Sequence, residues 1–115
     1  MANPPKPPPM IHAQLLEFHK AFCQRAYDIM AVKNHDYAGA TGDTPFANFQ
    51  AVELLGIAST ETGFLVRMLD KMKRLQTFAA CGKLKVENEG AYDACLDIAN
   101  YAILLAAYVK DKGAK

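Results

Sequence analysis

Residues 89–101 read EGAYDACLDIANY, and how that stretch is read decides the fold. Glu89, Asp93, Asp97 and Asn100 recur at intervals of four, four and three, which places them on one face of a helix. The predicted helix runs on to about residue 109, and Leu104 continues the same face. Its other faces carry Tyr92, Leu96, Ile98, Ala99, Ala102 and Ile103. From Cys95 onward it is apolar nearly all round, which predicts a buried helix. Ionised carboxylates on a buried helix must be paired, hydrogen-bonded or bound to a metal.

Working outward, residues 83–87 leave a connection of about five residues before this helix. A link that short makes the preceding helix its antiparallel neighbour. That preceding helix is predicted over 59–80: Ser59 or Thr60 caps it, Glu61 lies in its first turn, and Cys81-Gly82 ends it. Phe64, Leu65, Met68, Leu69, Met72 and Leu75 form its apolar face, and Arg67, Asp70, Lys71 and Arg74 a polar stripe. The stripe reads either as an ion-pair ladder along one solvated helix or as a surface facing the acids of the last helix.

A first helix is predicted over 10–34, with Ile11, Leu15, Phe18, Phe22, Ala26 and Ile29 as its apolar stripe. His12, His19 and Cys23 lie on or beside that stripe. They read as hydrogen-bonded core or interface residues or as a soft metal line, though their spacing fits no standard zinc motif. Residues 35–48, HDYAGATGDTPFAN, read as a loop offering Asp36, Tyr37 and Asn48 to a ligand, or as a plain connector. A short helix over 49–55 follows and stops at Gly56. Residues 1–9 form a proline-rich extended arm, and 10–115 a single domain. The expected fold is therefore all-α: three long helices and one short one, the last two forming a hairpin.

The net charge of +1 gives no bulk attraction to nucleic acid or an acidic membrane. Three cysteines without a CxxC read as free thiols in a reducing cytoplasm. The N-terminus shows no signal-peptide core, and the apolar run over 101–109 is too short to span a bilayer, so no membrane partner is expected.

Across the hairpin, Asp93, Asp97 and Glu89, with Asp70, offer hard oxygen ligands suited to Mg²⁺ or Mn²⁺. Arg67, Lys71 and Arg74 are cations suited to phosphate oxygens. Together they fit a nucleotide–Mg²⁺ complex; equally, they could neutralise one another and fix the hairpin.

The series KNHDY-x-G, NF, R-x-x-DK-x-x-RL and E-x-x-x-D-x-x-x-D-x-x-NY resembles the phage and bacterial "nucleotide modification associated" domain family. That family borders on the all-α nucleoside triphosphate pyrophosphohydrolases of MazG type. The resemblance covers residues 33–108 and is most specific over 67–75 and 89–101. It implies a compact all-α fold, a homo-oligomer of two or more chains, and a nucleotide or deoxynucleotide held with Mg²⁺. In the better-known relatives the triphosphate is hydrolysed to monophosphate and pyrophosphate. Those enzymes pair an E-x-x-E with an E-x-x-D; this chain has no E-x-x-E and carries R-x-x-D-K instead.

The expected activity is Mg²⁺-dependent nucleotide pyrophosphohydrolysis in the cytoplasm, the host's if the chain is phage-encoded. Asp93, Asp97 and Glu89 would hold metal, and Glu89 or Asp70 would serve as base. Arg67, Lys71 and Arg74 would bind phosphate, Asp36, Tyr37 and Asn48 would close over base or sugar, and Asn100 and Tyr101 would orient the acids. Two alternatives stay open: an oligomer that binds a nucleotide or cyclic nucleotide without cleaving it, and a helical interaction protein whose charges only hold its hairpin.

Overall fold

The computed structural model describes residues 7–38, 44–82 and 90–113, excepting the side chains of 34–38. The described residues form four helices: α1 (His12–Ala38), α2 (Ala47–Leu54), α3 (Thr60–Cys81) and α4 (Ala91–Asp111). The all-α arrangement of three long helices and one short one is as expected. Helix α4 packs along both α3 and α1, while α2 bridges α1 and α3. The link at 83–87 and residues 1–6 of the arm lie outside the described residues.

Local chemistry sets the boundaries of α3. Ser59 is extended and its hydroxyl accepts from the Thr62 N–H at 3.1 Å, a side-chain N-cap. Glu61 follows in the first turn. At the other end Gly82 takes φ +76° and donates its N–H to Phe78 O, the left-handed cap that glycine adopts without a Cβ penalty.

The core is aromatic and sits where α2 crosses the α3–α4 hairpin. Phe46, Phe49, Phe64, Leu104 and Tyr108 form one buried cluster. Phe49 stacks on Phe64 with ring centroids 4.2 Å apart, and Tyr108 meets Phe46 edge-on at 5.5 Å. Gly63 makes the close approach of α2 possible: a Cβ there would stand 3.0 Å from Val52 Cγ2 and 3.4 Å from Phe49 O. On the far side of α4, Asn100 is buried and its amide donates to Ala26 O of α1 at 3.0 Å.

The structure corrects several expectations. Helix α1 continues through residues 35–38, so Asp36 and Tyr37 belong to its last turn rather than to a loop. Asn48 likewise lies in α2. Helix α4 starts at Ala91, not Glu89. Nor is α4 buried all round: Leu96, Asn100, Leu104 and Tyr108 face inward, while Cys95, Ala102 and Ile103 are exposed. On α3, Phe64 is buried and Met68 and Leu75 are half-buried, but Leu65, Leu69 and Met72 are exposed. In both helices one chain lacks enough neighbours to cover every apolar face. Length and composition alone would let α4 cross a membrane. In the structure it lies between α1 and α3, joined to α3 by an ion pair and to α1 by an amide hydrogen bond.

Candidate functional site

The two stripes of the hairpin do meet. Lys71 Nζ lies 3.0 Å from Asp97 Oδ2, with the side chains 18% and 30% exposed. Lys71 is held at mid-helix in α3, and Asp97 is on the α4 face turned to it. Beside this pair is a cleft of about 50 Å³ lined by Lys71, Arg74, Gly90, Asp93, Ala94 and Asp97. Two carboxylates, one ammonium and one guanidinium thus border one small space. By the usual measure of about 10–15 Å³ per water centre, it admits a few waters, or an ion with part of its hydration shell. It is far below the ~300 Å³ at which small-molecule pockets begin, so no nucleoside fits inside it.

Asp93 sits at the third position of α4, where its negative charge suits the helix dipole. Its Oδ2 also accepts from the Gly90 N–H, at a long 3.4 Å. Asp93 and Asp97 are one helical turn apart, so both can address a single point in the cleft.

The other expected site residues are placed elsewhere. The Arg67 guanidinium lies over the Phe49 ring, 5.4 Å from its centroid. It shares a face with Lys71, but α2 covers that end of α3, so the cation rests on an aromatic face rather than on an acid. Asp70 is exposed and does not line the cleft; it is one residue from Lys71, which turns it about 100° round the helix. Asn100 follows Asp97 by three residues, which swings it about 60° toward α1. There its amide bonds to Ala26 O, not to an acid, and its buried Oδ1 has no hydrogen-bond partner. Tyr101 is half-buried and meets Phe49 edge-on at 6.1 Å, a packing contact. Asn48 is exposed in α2. The side chains of Asp36 and Tyr37, and the whole of Glu89, lie outside the described residues.

Among the described residues, no group of three or more His, Cys, Asp or Glu is placed to hold a metal ion. Asp93 and Asp97 are two hard-oxygen donors, and the small charged cleft beside them fits a cation that keeps much of its water, as Mg²⁺ does. The His19 ring and the Cys23 thiol are 3.7 Å apart on the exposed side of α1. Gly90 and Ala94 line the cleft although the sequence reading gave them no role. The signal was available at Gly90: a glycine three residues before an aspartate marks a helix start, where extending the helix back to Glu89 hid it.

Comparison with family models, with curated proteins and with solved structures gives no match for this chain.

Proposed function

We propose that the cleft between α3 and α4 binds the phosphates of a nucleotide together with Mg²⁺ or Mn²⁺, and that the chain is a nucleotide pyrophosphohydrolase of the cytoplasm. The observation that carries this reading is the convergence of Asp93 and Asp97 with Lys71 and Arg74 on one small cleft. Asp93 and Asp97 would hold the metal, whose charge offsets that of the phosphates and eases deprotonation of an attacking water. Arg74 would offer phosphate oxygens a guanidinium fork and Lys71 a point charge, each once phosphate displaces the contacts its side chain already makes, for Lys71 that with Asp97. The cleft of about 50 Å³ would take the ion and its nearest ligands, so the rest of the nucleotide would lie over its mouth on the α3–α4 surface. Hydrolysis consumes one water, breaks the bond between the α-phosphorus and the bridging oxygen, and yields monophosphate and pyrophosphate.

A second reading is favoured by two observations. Lys71 already neutralises Asp97 directly, and among the described residues only two acids face the cleft. That suits a protein that holds a nucleotide without cleaving it. Incubating the purified chain with common NTPs, dNTPs and cyclic nucleotides in Mg²⁺, followed by mass spectrometry, separates the two. Pyrophosphate release abolished by EDTA supports hydrolysis. Intact ligand retained in EDTA supports binding alone. Neither retention nor cleavage of any of them ends the nucleotide proposal.

A further inference from the structure

Helix α1 is longer than its support. Phe18 and Phe22 touch Tyr92, but Ala26 is the one buried residue of α1 among those described, and everything from position 12 to 21 is exposed. A helical stretch with so little to lie on is marginal in water. Along it stand two side chains that the proposed nucleotide chemistry does not use. His19 Nδ1 and Cys23 Sγ are 3.7 Å apart, both on exposed residues.

The interval of four puts them one helical turn apart on one face. The same interval sets two ligands side by side where zinc sites are built on a helix. The distance fits such a site as well. Zinc holds sulfur at about 2.3 Å and imidazole nitrogen at about 2.05 Å, and a tetrahedral angle between those bonds sets the donors about 3.6 Å apart. The observed 3.7 Å opens that angle only to about 115°. As a hydrogen bond the same contact is weak, because a thiol is a poor donor. Among the described residues neither side chain has another polar partner.

We propose that His19 and Cys23 chelate a borderline divalent cation, Zn²⁺ above all, with water in its remaining positions. His12 lies seven residues before His19, about 10 Å along the axis, too far to share the ion. The residues one turn beyond the pair are Leu15, Leu16, Ala26 and Tyr27, so this face of α1 adds no third acid, imidazole or thiol. Thiolate and imidazole suit zinc and leave hard Mg²⁺ to water, which separates this site from the cleft at Asp93 and Asp97. On binding, the cation replaces the thiol proton, which leaves to solvent, and takes the lone pair of a neutral Nδ1; no oxidation state changes. Both donors reach one ion only while the turn between them is helical. The cation therefore stabilises α1 along the stretch that packing secures least.

Calorimetry of the full chain, kept reduced with a phosphine and in excess Mg²⁺ to saturate the carboxylate cleft, is expected to give one Zn²⁺ per chain. Two protein ligands are half a structural zinc set, which places Kd on the order of 10 µM. Co²⁺ in place of zinc should give a thiolate-to-metal charge-transfer band. Cys23→Ser and His19→Gln, both at exposed positions, should each weaken zinc by about 30-fold or more with far-UV circular dichroism unchanged, and Cys23→Ser should abolish the band. His12→Gln and Cys95→Ser should leave Kd within about threefold. Hydrogen exchange of the wild-type amides at 16–23 should slow by about tenfold or more in ~1 mM Zn²⁺ and stay unchanged in Mg²⁺ alone, a readout that no variant's folding can confound. No uptake below about 1 mM zinc, one zinc per two chains, or uptake indifferent to either variant overturns the proposal and leaves a hydrogen-bonded pair only.

Discussion

Replacing Asp97 by Asn and Lys71 by Gln, singly and together, isolates the ion pair at the mouth of the cleft. At the observed 3.0 Å, two unit charges attract by about 5 kcal/mol in a medium of effective dielectric ~20. Partial exposure of both side chains, 18% and 30%, lets water and lost side-chain freedom take back most of that. Fully exposed pairs net about 0–1 kcal/mol; this one, more sheltered, should couple by about 1 kcal/mol. Each single variant should therefore cost about 1 kcal/mol, lowering Tm by roughly 4 °C in a domain of this size. The double variant should cost less than the sum of the two. Urea unfolding followed by circular dichroism at low salt measures all four corners of the cycle, and coupling should shrink as salt is added. Coupling below about 0.3 kcal/mol, or a net gain in stability from Asp97→Asn, would refute the view that this contact holds α3 to α4.

Two further outcomes are expected. Phe64 is fully buried and stacked on Phe49, so Phe64→Ala should cost about 3–5 kcal/mol in denaturant unfolding; a loss under about 1 kcal/mol would mean that the aromatic cluster is not the core. A hydrogen bond from Lys112 at 3.1 Å holds the Glu61 carboxyl below the usual glutamate range, and the same contact raises Lys112. The support this pair gives the fold is present from mildly acidic to alkaline pH, fades as pH falls through the lowered Glu61 value, and fades again as pH rises through the raised Lys112 value. NMR titration should find the Glu61 value rising in Lys112→Gln; an unchanged value would remove the contact from solution.

The fold was legible where the sequence carries local signals. Ser59 and Gly82 bound α3 as their chemistry dictates, and the acids and bases of the hairpin do share a cleft at Lys71, Arg74, Asp93 and Asp97. Periodicity could not show which neighbour each face would meet. Arg67 has the right spacing for the cleft, but α2 brings Phe49 to it first. Asn100 follows the acids in sequence, yet three residues fall short of a full turn and α1 claims its amide. Composition likewise cannot separate a helix buried within one chain from a helix left half bare. That is why α4, apolar nearly all round, read as fully enclosed.

The Asn100 amide has a further consequence for α1. Among the described residues, the ring contacts between these helices, Phe18 and Phe22 on Tyr92, can slide past one another at little cost. An amide buried at 3% exposure tolerates no such slippage, because sliding α1 by one turn or rotating it would strand the group away from a carbonyl acceptor. One polar bond therefore works as a locating pin, selecting a single docking position for a helix that greasy contact alone would leave free to drift.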